Sequence, residues 1–377
     1  MGFAATDEQG SYGSLGPDLA RCRQTGTAHD HVLDARRRIR IRPLHADEAA
    51  ERDGEQELGS RTGGESESPI ARFLLALADG RVFTMSITGL LSAWDADSGE
   101  LLWRGDYSSR FGKGHPYWGA ATSPLVDGNR VVVHFGTDDQ GALIALDAES
   151  GKEIWSHGKD GASYASPILV ELQGRRQIVE LTMKGLASVD SESGRSLWEY
   201  PYPQIGTDQN MVTPVYHRGL VLQGGENRGI RGLEPRLDGG VWTVHERWHQ
   251  EKVALDMSAA VVNGDLLYGF SHFGLGRLFC LDTKTGEVLW QGPGRTGENV
   301  AFLAIPGHVV ALVNDGELKI MAAGGDRFDT VASYRVSESP TWAHPVLLES
   351  GILVKDGRTL TLWSLSGTTV RSPSPSR

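Results

Sequence analysis

The feature that most constrains this chain is a nine-residue pattern, Asp-x-x-[Ser/Thr]-Gly-x-x-x-Trp, which occurs four times. The copies are Asp95–Trp103, Asp147–Trp155, Asp190–Trp198 and Asp282–Trp290. They start 52, 43 and 92 residues apart, and the last gap spans two periods with a degenerate copy between them. One unit is therefore about 45 residues, a period that belongs to propellers and solenoids.

The chemistry of one unit is legible. A short apolar run precedes each copy and reads as a strand. Asp and Ser/Thr bond to nearby backbone amides in the turn, and Gly supplies the positive φ that closes it. The returning strand ends on Trp. One Trp per unit is expected to be the flat apolar plate that seals one blade against the next.

A chain of 377 residues with 39% hydrophobic content can bury a large core. Its length would suit two domains, but repeat folds run longer as one unit. A net charge of −11 argues against non-specific nucleic-acid binding. Cys22 and Cys280 are the only cysteines, which excludes a disulfide framework or a thiolate zinc cage and leaves the redox compartment open. No apolar run approaches the ~18 residues of a membrane span. The first residues lack the apolar core of a signal peptide.

Residues 1–70 fall outside the pattern, with nine Arg, no Lys, 13 Asp or Glu and only Phe3 and Tyr12 as aromatics. Such a segment buries too little to offset its ordering entropy, so it reads as disordered or as not native to this product. Within it only Arg38–Arg42 alternates like a strand. The propeller is expected over 71–366, followed by a disordered Ser/Pro tail over 367–377. Units run at about 71–108, 119–158, 162–202, 210–250, 256–292, 298–336 and 341–365. Unit four is degenerate, with Trp248 in the plate position, and unit six has Tyr334 there. Ser123-Pro124, Ser166-Pro167, Thr213-Pro214 and His344-Pro345 mark first strands, because Pro tolerates a strand start but not a central ladder position. Unit seven has only three strands, and Arg38–Arg42 is the candidate for the missing fourth.

His245-Glu246-Arg247-Trp248-His249 matches the zinc-protease pattern His-Glu-x-x-His. That pattern works on a helix, where both His share a face. Here it lies among β-branched and aromatic residues, and on a strand the two His would stand roughly 13 Å apart. No metal site is expected from it. His29-Asp30-His31 reads as solvated polar residues, and the Gly-rich run Gly224–Gly229 as a loop between strands.

Propeller topology points to a different site. The loop entering each first strand and the loop between second and third strands share one face, and the Asp-x-x-[Ser/Thr]-Gly turns share the other. The predicted mouth ring comprises Trp118, Tyr164, Gln209, Asn210, Asp256, Glu298, Asn299, Trp342 and His344. Asp208 and Met257 stand beside it, and the second loops add Asp138, Asp139, Lys184, Glu226, Asn227, Arg228, His272 and Lys355. Polar and aromatic groups converging on a concave mouth make a binding site, for a protein or a small ligand.

The four turn copies and the Ser/Thr-Pro strand starts resemble the pyrroloquinoline-quinone-type (quinoprotein-like) β-propeller repeat family, over about 71–365. The resemblance implies an all-β propeller. The unit count gives seven blades, the last incomplete in sequence, and an intact family member could have eight. It also implies a bacterial, extracytoplasmic protein, periplasmic or secreted. One family branch is non-catalytic, similar to propeller lipoproteins of outer-membrane assembly. The other is the quinoprotein alcohol dehydrogenases, which carry a quinone, calcium and usually an adjacent Cys-Cys pair absent here. Under that alternative, Asp256 would be the base and Glu298 and Asn299 would hold calcium. The expectation is the non-catalytic one: a monomeric binding or scaffolding module with no cofactor. The alternative is a quinone- and calcium-dependent dehydrogenase of alcohols or sugars.

Overall fold

The computed structural model describes residues 39–40, 73–111, 119–137, 140–206, 208–348 and 351–364. The expectations of disorder over most of 1–70 and over 367–377 lie outside these residues, as do Trp118, Asp138, Asp139 and the His29–His31 run.

Seven four-stranded antiparallel sheets make a seven-bladed propeller. Blade 1 is Phe73–Ala78, Arg81–Ser86, Leu90–Asp95 and Leu101–Asp106, ordered from the axis outward. Five more blades repeat this meander. In blade 7, Val346–Leu348, Gly351–Lys355 and Leu360–Ser364 come from the C-terminal end, and Ile39–Arg40 takes the outer position. Ile39 pairs with Leu362 and Arg40 with Thr361, where a fourth strand was expected from Arg38–Arg42.

The turn works as its residue types require. Asp95 Oδ1 accepts the Ser98 amide at 2.7 Å and the Ser98 hydroxyl at 2.8 Å. Asp147, Asp190 and Asp282 hold Ser150, Ser193 and Thr285 in the same way. A β-bulge interrupts the third-to-outer strand pairing in all six blades built from continuous chain. Such a bulge re-aims the following side chains, here the plate residue.

The Trp plates lock one blade to the next. The Trp103 indole N–H donates to Ala148 O at 3.0 Å, and that of Trp155 to Ser191 O at 3.3 Å. Trp248 donates to Thr283 O at 3.0 Å and Trp290 to Gly324 O at 3.0 Å. In three of these joints the ring also lies on the turn glycine of the next blade. A Cβ on Gly151, Gly194 or Gly286 would run into Trp103, Trp155 or Trp248. The repeated Gly thus meets two demands, a left-handed backbone and a surface flat enough for an indole.

The Ser/Thr-Pro dipeptides stand where first strands begin. They also link blades: the Ser123 amide donates to Ser166 Oγ at 2.9 Å, and the Ser166 amide to Thr213 Oγ1 at 3.0 Å.

Blade 4 departs from the repeat. Its outer hairpin, Ile230–Asp238 and Val241–Gln250, is longer than the corresponding six- and five-residue strands of blade 2. Its turn at Asp238-Gly239-Gly240 carries no plate, and nothing lies near a Cβ built on either glycine. Trp198 of blade 3 therefore turns inward, donating to Gln177 Oε1 of its own blade at 3.0 Å. Trp242 and Val244 of the long hairpin pack on the same cluster as Trp198.

Candidate functional site

Every large hydrophobic side chain that is exposed outside a strand, among the described residues, lies in a loop of the mouth face. These are Ile87, Ile205, Met257, Leu275 and Trp342, each 39–66% exposed. The opposite face presents the Asp turns, whose side chains are spent on the backbone. The two ends of the propeller thus differ in chemistry as well as in loop type.

The predicted ring residues take several different roles. Trp342 is 48% exposed and offers an aromatic surface. Asn210 is fully buried: its Nδ2 donates to Thr182 O at 2.8 Å and to Tyr202 O at 3.2 Å, so it braces the loops. Tyr164 is half-buried, and its backbone N–H donates to Asn210 O at 2.9 Å. Gln209 is half-buried and gives its carbonyl to Arg228. Glu298 is exposed, and its amide donates to Asn314 Oδ1 at 3.1 Å. Asn299 Oδ1 accepts the Ser258 hydroxyl. His344 is half-buried, and burial depresses its imidazole to about 4, so it is neutral near pH 7.

Asp256 belongs to a carboxylate group on the rim. Burial pushes it up, His272 opposes the shift and Asp208 adds to it. Glu226 is raised by burial and then by Asp256 and Asp208. Asn227 joins the group by donating to Asp208 Oδ1 at 3.2 Å and accepting from His272 Nε2 at 3.2 Å. Of the residues named for a calcium-bound quinone, Asp256 lies in this carboxylate group, and Glu298 and Asn299 lie in the loop entering the Val300–Ile305 strand. Asn299 has given its oxygen to Ser258, and no three His, Cys, Asp or Glu side chains among the described residues are placed to hold a metal ion. His245 and His249 lie on a strand, with separate partners at Thr243 Oγ1 and Arg228 O.

A cleft of about 420 Å³ opens on the mouth face between blades 3 and 4. Its floor is Tyr200-Pro201-Tyr202-Pro203 with Ile205, and its wall carries Arg228, Arg231 and His249. Arg228 is buried and lies 4.4 Å over the Tyr202 ring. It donates to Pro203 O at 3.0 Å, to Gln209 O at 3.3 Å and to Asn210 Oδ1 at 2.7 Å. The Gly-rich run does form the loop between second and third strands, and it delivers Arg228 into this cleft. The Tyr-Pro floor was not singled out in the sequence. A Tyr-Pro-Tyr-Pro run leading into the one unit without a turn motif was the signal available.

With this geometry in view, the comparisons with known proteins decide the family. A family profile described as outer membrane protein assembly factor BamB matches residues 49–292. The chain belongs to this family. It is 23% identical over 256 residues to the outer membrane protein assembly factor BamB of Yersinia pestis, covering 65% of this chain and 62% of that protein. An uncharacterized protein of Rickettsia prowazekii, RP232, is 23% identical over 247 residues, 62% of this chain and 55% of that one. The chain thus spans less than two thirds of the length of these relatives. Among solved structures, BamB from Moraxella catarrhalis matches with a TM-score of 0.57 at 16% identity, over 76% of this chain and 79% of that chain. The quinohemoprotein alcohol dehydrogenase ADHIIG from Pseudomonas putida matches with a TM-score of 0.56 at 14% identity, over 80% and 68%. At these identities the two structures speak for the fold alone.

Proposed function

We propose that this BamB-family propeller is a protein-docking module that uses its mouth face, without quinone or calcium, as a monomer outside the cytoplasm. The observation that carries this reading is the placement of Ile87, Ile205, Met257, Leu275 and Trp342 in loops of one face. Aromatic and aliphatic anchors inside a polar rim are what a protein interface needs, and a few such anchors carry most of its energy. The relatives described as outer membrane protein assembly factors supply the partner class: a protein of outer-membrane protein assembly. The family resemblance supports a periplasmic location.

The test is a binding measurement with the purified partner identified by capture from membranes. Trp342→Ala is expected to weaken binding by about tenfold or more, the effect of losing an interface anchor. Its melting temperature should barely move, because the side chain is half-exposed. If Trp342→Ala and Met257→Ala bind as the parent does while Leu101→Ala on an outer strand binds worse, the docking surface is the blade edge and the reading fails. Calcium-dependent dye reduction with added quinone, lost in Glu298→Ala, would replace it with the dehydrogenase.

A further inference from the structure

The cleft between blades 3 and 4 holds a cation without a counter-ion. Arg228 is the one arginine among the described residues that is buried, and none of their carboxylates lies within 4 Å of it. Its partners are two carbonyls, an amide oxygen and an aromatic face. Neutral acceptors offset only part of the cost of taking a charge out of water. A second guanidinium, Arg231, lines the same cleft and approaches the Tyr202 ring at 5.4 Å, with its Nε on Glu246 and its Nη1 donating to Arg228 O at 3.0 Å. Beside them the rings of Tyr200, Pro201 and Pro203, with Ile205, line the cleft.

We propose that this cleft binds a carboxylate carried on a flat apolar body. The carboxylate meets the guanidinium wall, where a charge-assisted contact is stronger than a neutral one. The body lies on the Tyr-Pro floor. The charge of the site sets the valence of the anion. Arg231 already shares its charge with Glu246 through a 3.2 Å contact, and Glu251 stands exposed at the rim. Arg228 alone has no carboxylate beside it, so a singly charged carboxylate matches it, whereas a dianionic phosphate brings a second charge towards Glu246 and Glu251. The volume of about 420 Å³ accommodates a small aromatic acid or one side chain with its neighbours. This inference is separable from the docking reading, with which it shares Ile205 alone among the named side chains.

The experiment is calorimetric titration of the full chain with 3-phenylpropionate, 3-phenylpropanamide, phenyl phosphate and an end-blocked peptide with a central Phe-Glu. The acid is expected to bind about tenfold or more tighter than its amide, the worth of a charge-assisted contact. Phenyl phosphate should bind more weakly than the acid. Arg231→Gln, at a part-exposed position, should cost about tenfold for the acid and little for the amide. Arg228→Lys, which keeps the charge and loses the fork, should also weaken the acid. Binding of the free acid alone assigns the site to small molecules, and binding of the blocked peptide assigns it to a chain segment. An amide that binds as well as the acid, a phosphate that binds better, affinity unchanged in Arg231→Gln, or no binding by either carboxylate probe would overturn the proposal. Docking that depends on Trp342 would survive each of these outcomes.

Discussion

The joint between blades 4 and 5 and the joint between blades 3 and 4 solve the same problem differently. At the first, Trp248 lies on Gly286, and its indole N–H reaches Thr283 O. One side chain closes the seam and satisfies its own polar atom. At the second the receiving turn is missing, so Trp198 bonds within its blade and the long hairpin of blade 4 leans on blade 3. The outer strands Ser196–Pro201 and Val241–Gln250 lie against each other there. On the mouth side of that joint the cleft opens. Four joints are each closed by an indole that reaches the next blade, and the cleft opens at the joint where that repeat lapses.

The largest expected effect separates plate from filler. Trp290→Ala should destabilise by about 3–5 kcal/mol, the cost of emptying a buried indole site. Trp242→Ala should cost less, because Trp242 is half-buried and a different residue, Trp248, fills the plate position of its blade. Urea titrations of both variants decide. A Trp242→Ala loss as large as that of Trp290→Ala would mean that the hairpin itself is the seam.

Glycine substitutions sharpen the same contrast. Gly286→Ala forces a Cβ into Trp248 at a φ of +73°, and should cost about 2–5 kcal/mol from overpacking plus backbone strain. Gly239→Ala has a φ of +57° with open space around it, and should cost only about 1–2 kcal/mol. Equal losses in thermal melts would show that the turn backbone, not the plate, demands glycine.

Most of the fold was legible before the structure for this reason. The Asp, Ser/Thr, Gly and Trp of each unit act locally or on the next copy of themselves, so spacing alone reveals their jobs. Trp248 was placed correctly in a degenerate unit because its distance from the strand pattern was preserved. The candidate site was legible only as a list of loops. Asn210 and Trp342 both enter first strands, yet one is a buried brace and the other an exposed anchor. Nothing in their spacing separates these roles, which depend on what neighbouring blades bring. The cleft was hidden for the same reason: its floor follows blade 3 and its wall belongs to blade 4.

A polar clamp at the locked joint between blades 2 and 3 gives a pH-dependent prediction. His134 Nδ1 is 2.5 Å from Glu180 Oε2 and its Nε2 is 2.9 Å from Asp160 O, and both His134 and Glu180 are buried. Both ring nitrogens face acceptors, so the ring carries both protons. Burial works against that charge, but Glu180, the Asp160 carbonyl and the Asp160 carboxylate outweigh it and raise the imidazole above its ordinary 6.5. Lys184 faces the same Asp160 carboxylate at 2.8 Å. A raised folded value means the contribution is complete below pH 6.5 and is lost as pH climbs through the higher folded value. Stability should therefore fall above pH 6.5 with a slope of up to about 1.4 kcal/mol per pH unit. The double variant His134→Leu, Glu180→Leu should lose that slope. If its pH profile matches the parent's, another group titrates.

The smallest effect is expected at the unlocked joint. There Tyr200 Oη of one outer strand donates to Glu246 Oε2 of the other at 2.6 Å, and Glu246 also accepts from Arg231 Nε at 3.2 Å. Burial, then the Glu246 contact, raises the Tyr200 hydroxyl to about 12, so it remains a donor across ordinary working pH. The acceptor is exposed, and water replaces a lost bond there at little cost. Tyr200→Phe should thus cost about 1 kcal/mol or less, and a double-mutant cycle with Glu246→Gln should give a coupling of about 0.5–1 kcal/mol. That coupling should stay level from pH 6 to pH 9, in contrast to the His134 clamp, since the Tyr200 hydroxyl keeps its proton throughout that window. A coupling above about 2 kcal/mol would be too large for an exposed contact. It would show a joint fastened by a polar network as firmly as its neighbours are by indole plates, and the contrast between the two joints would collapse.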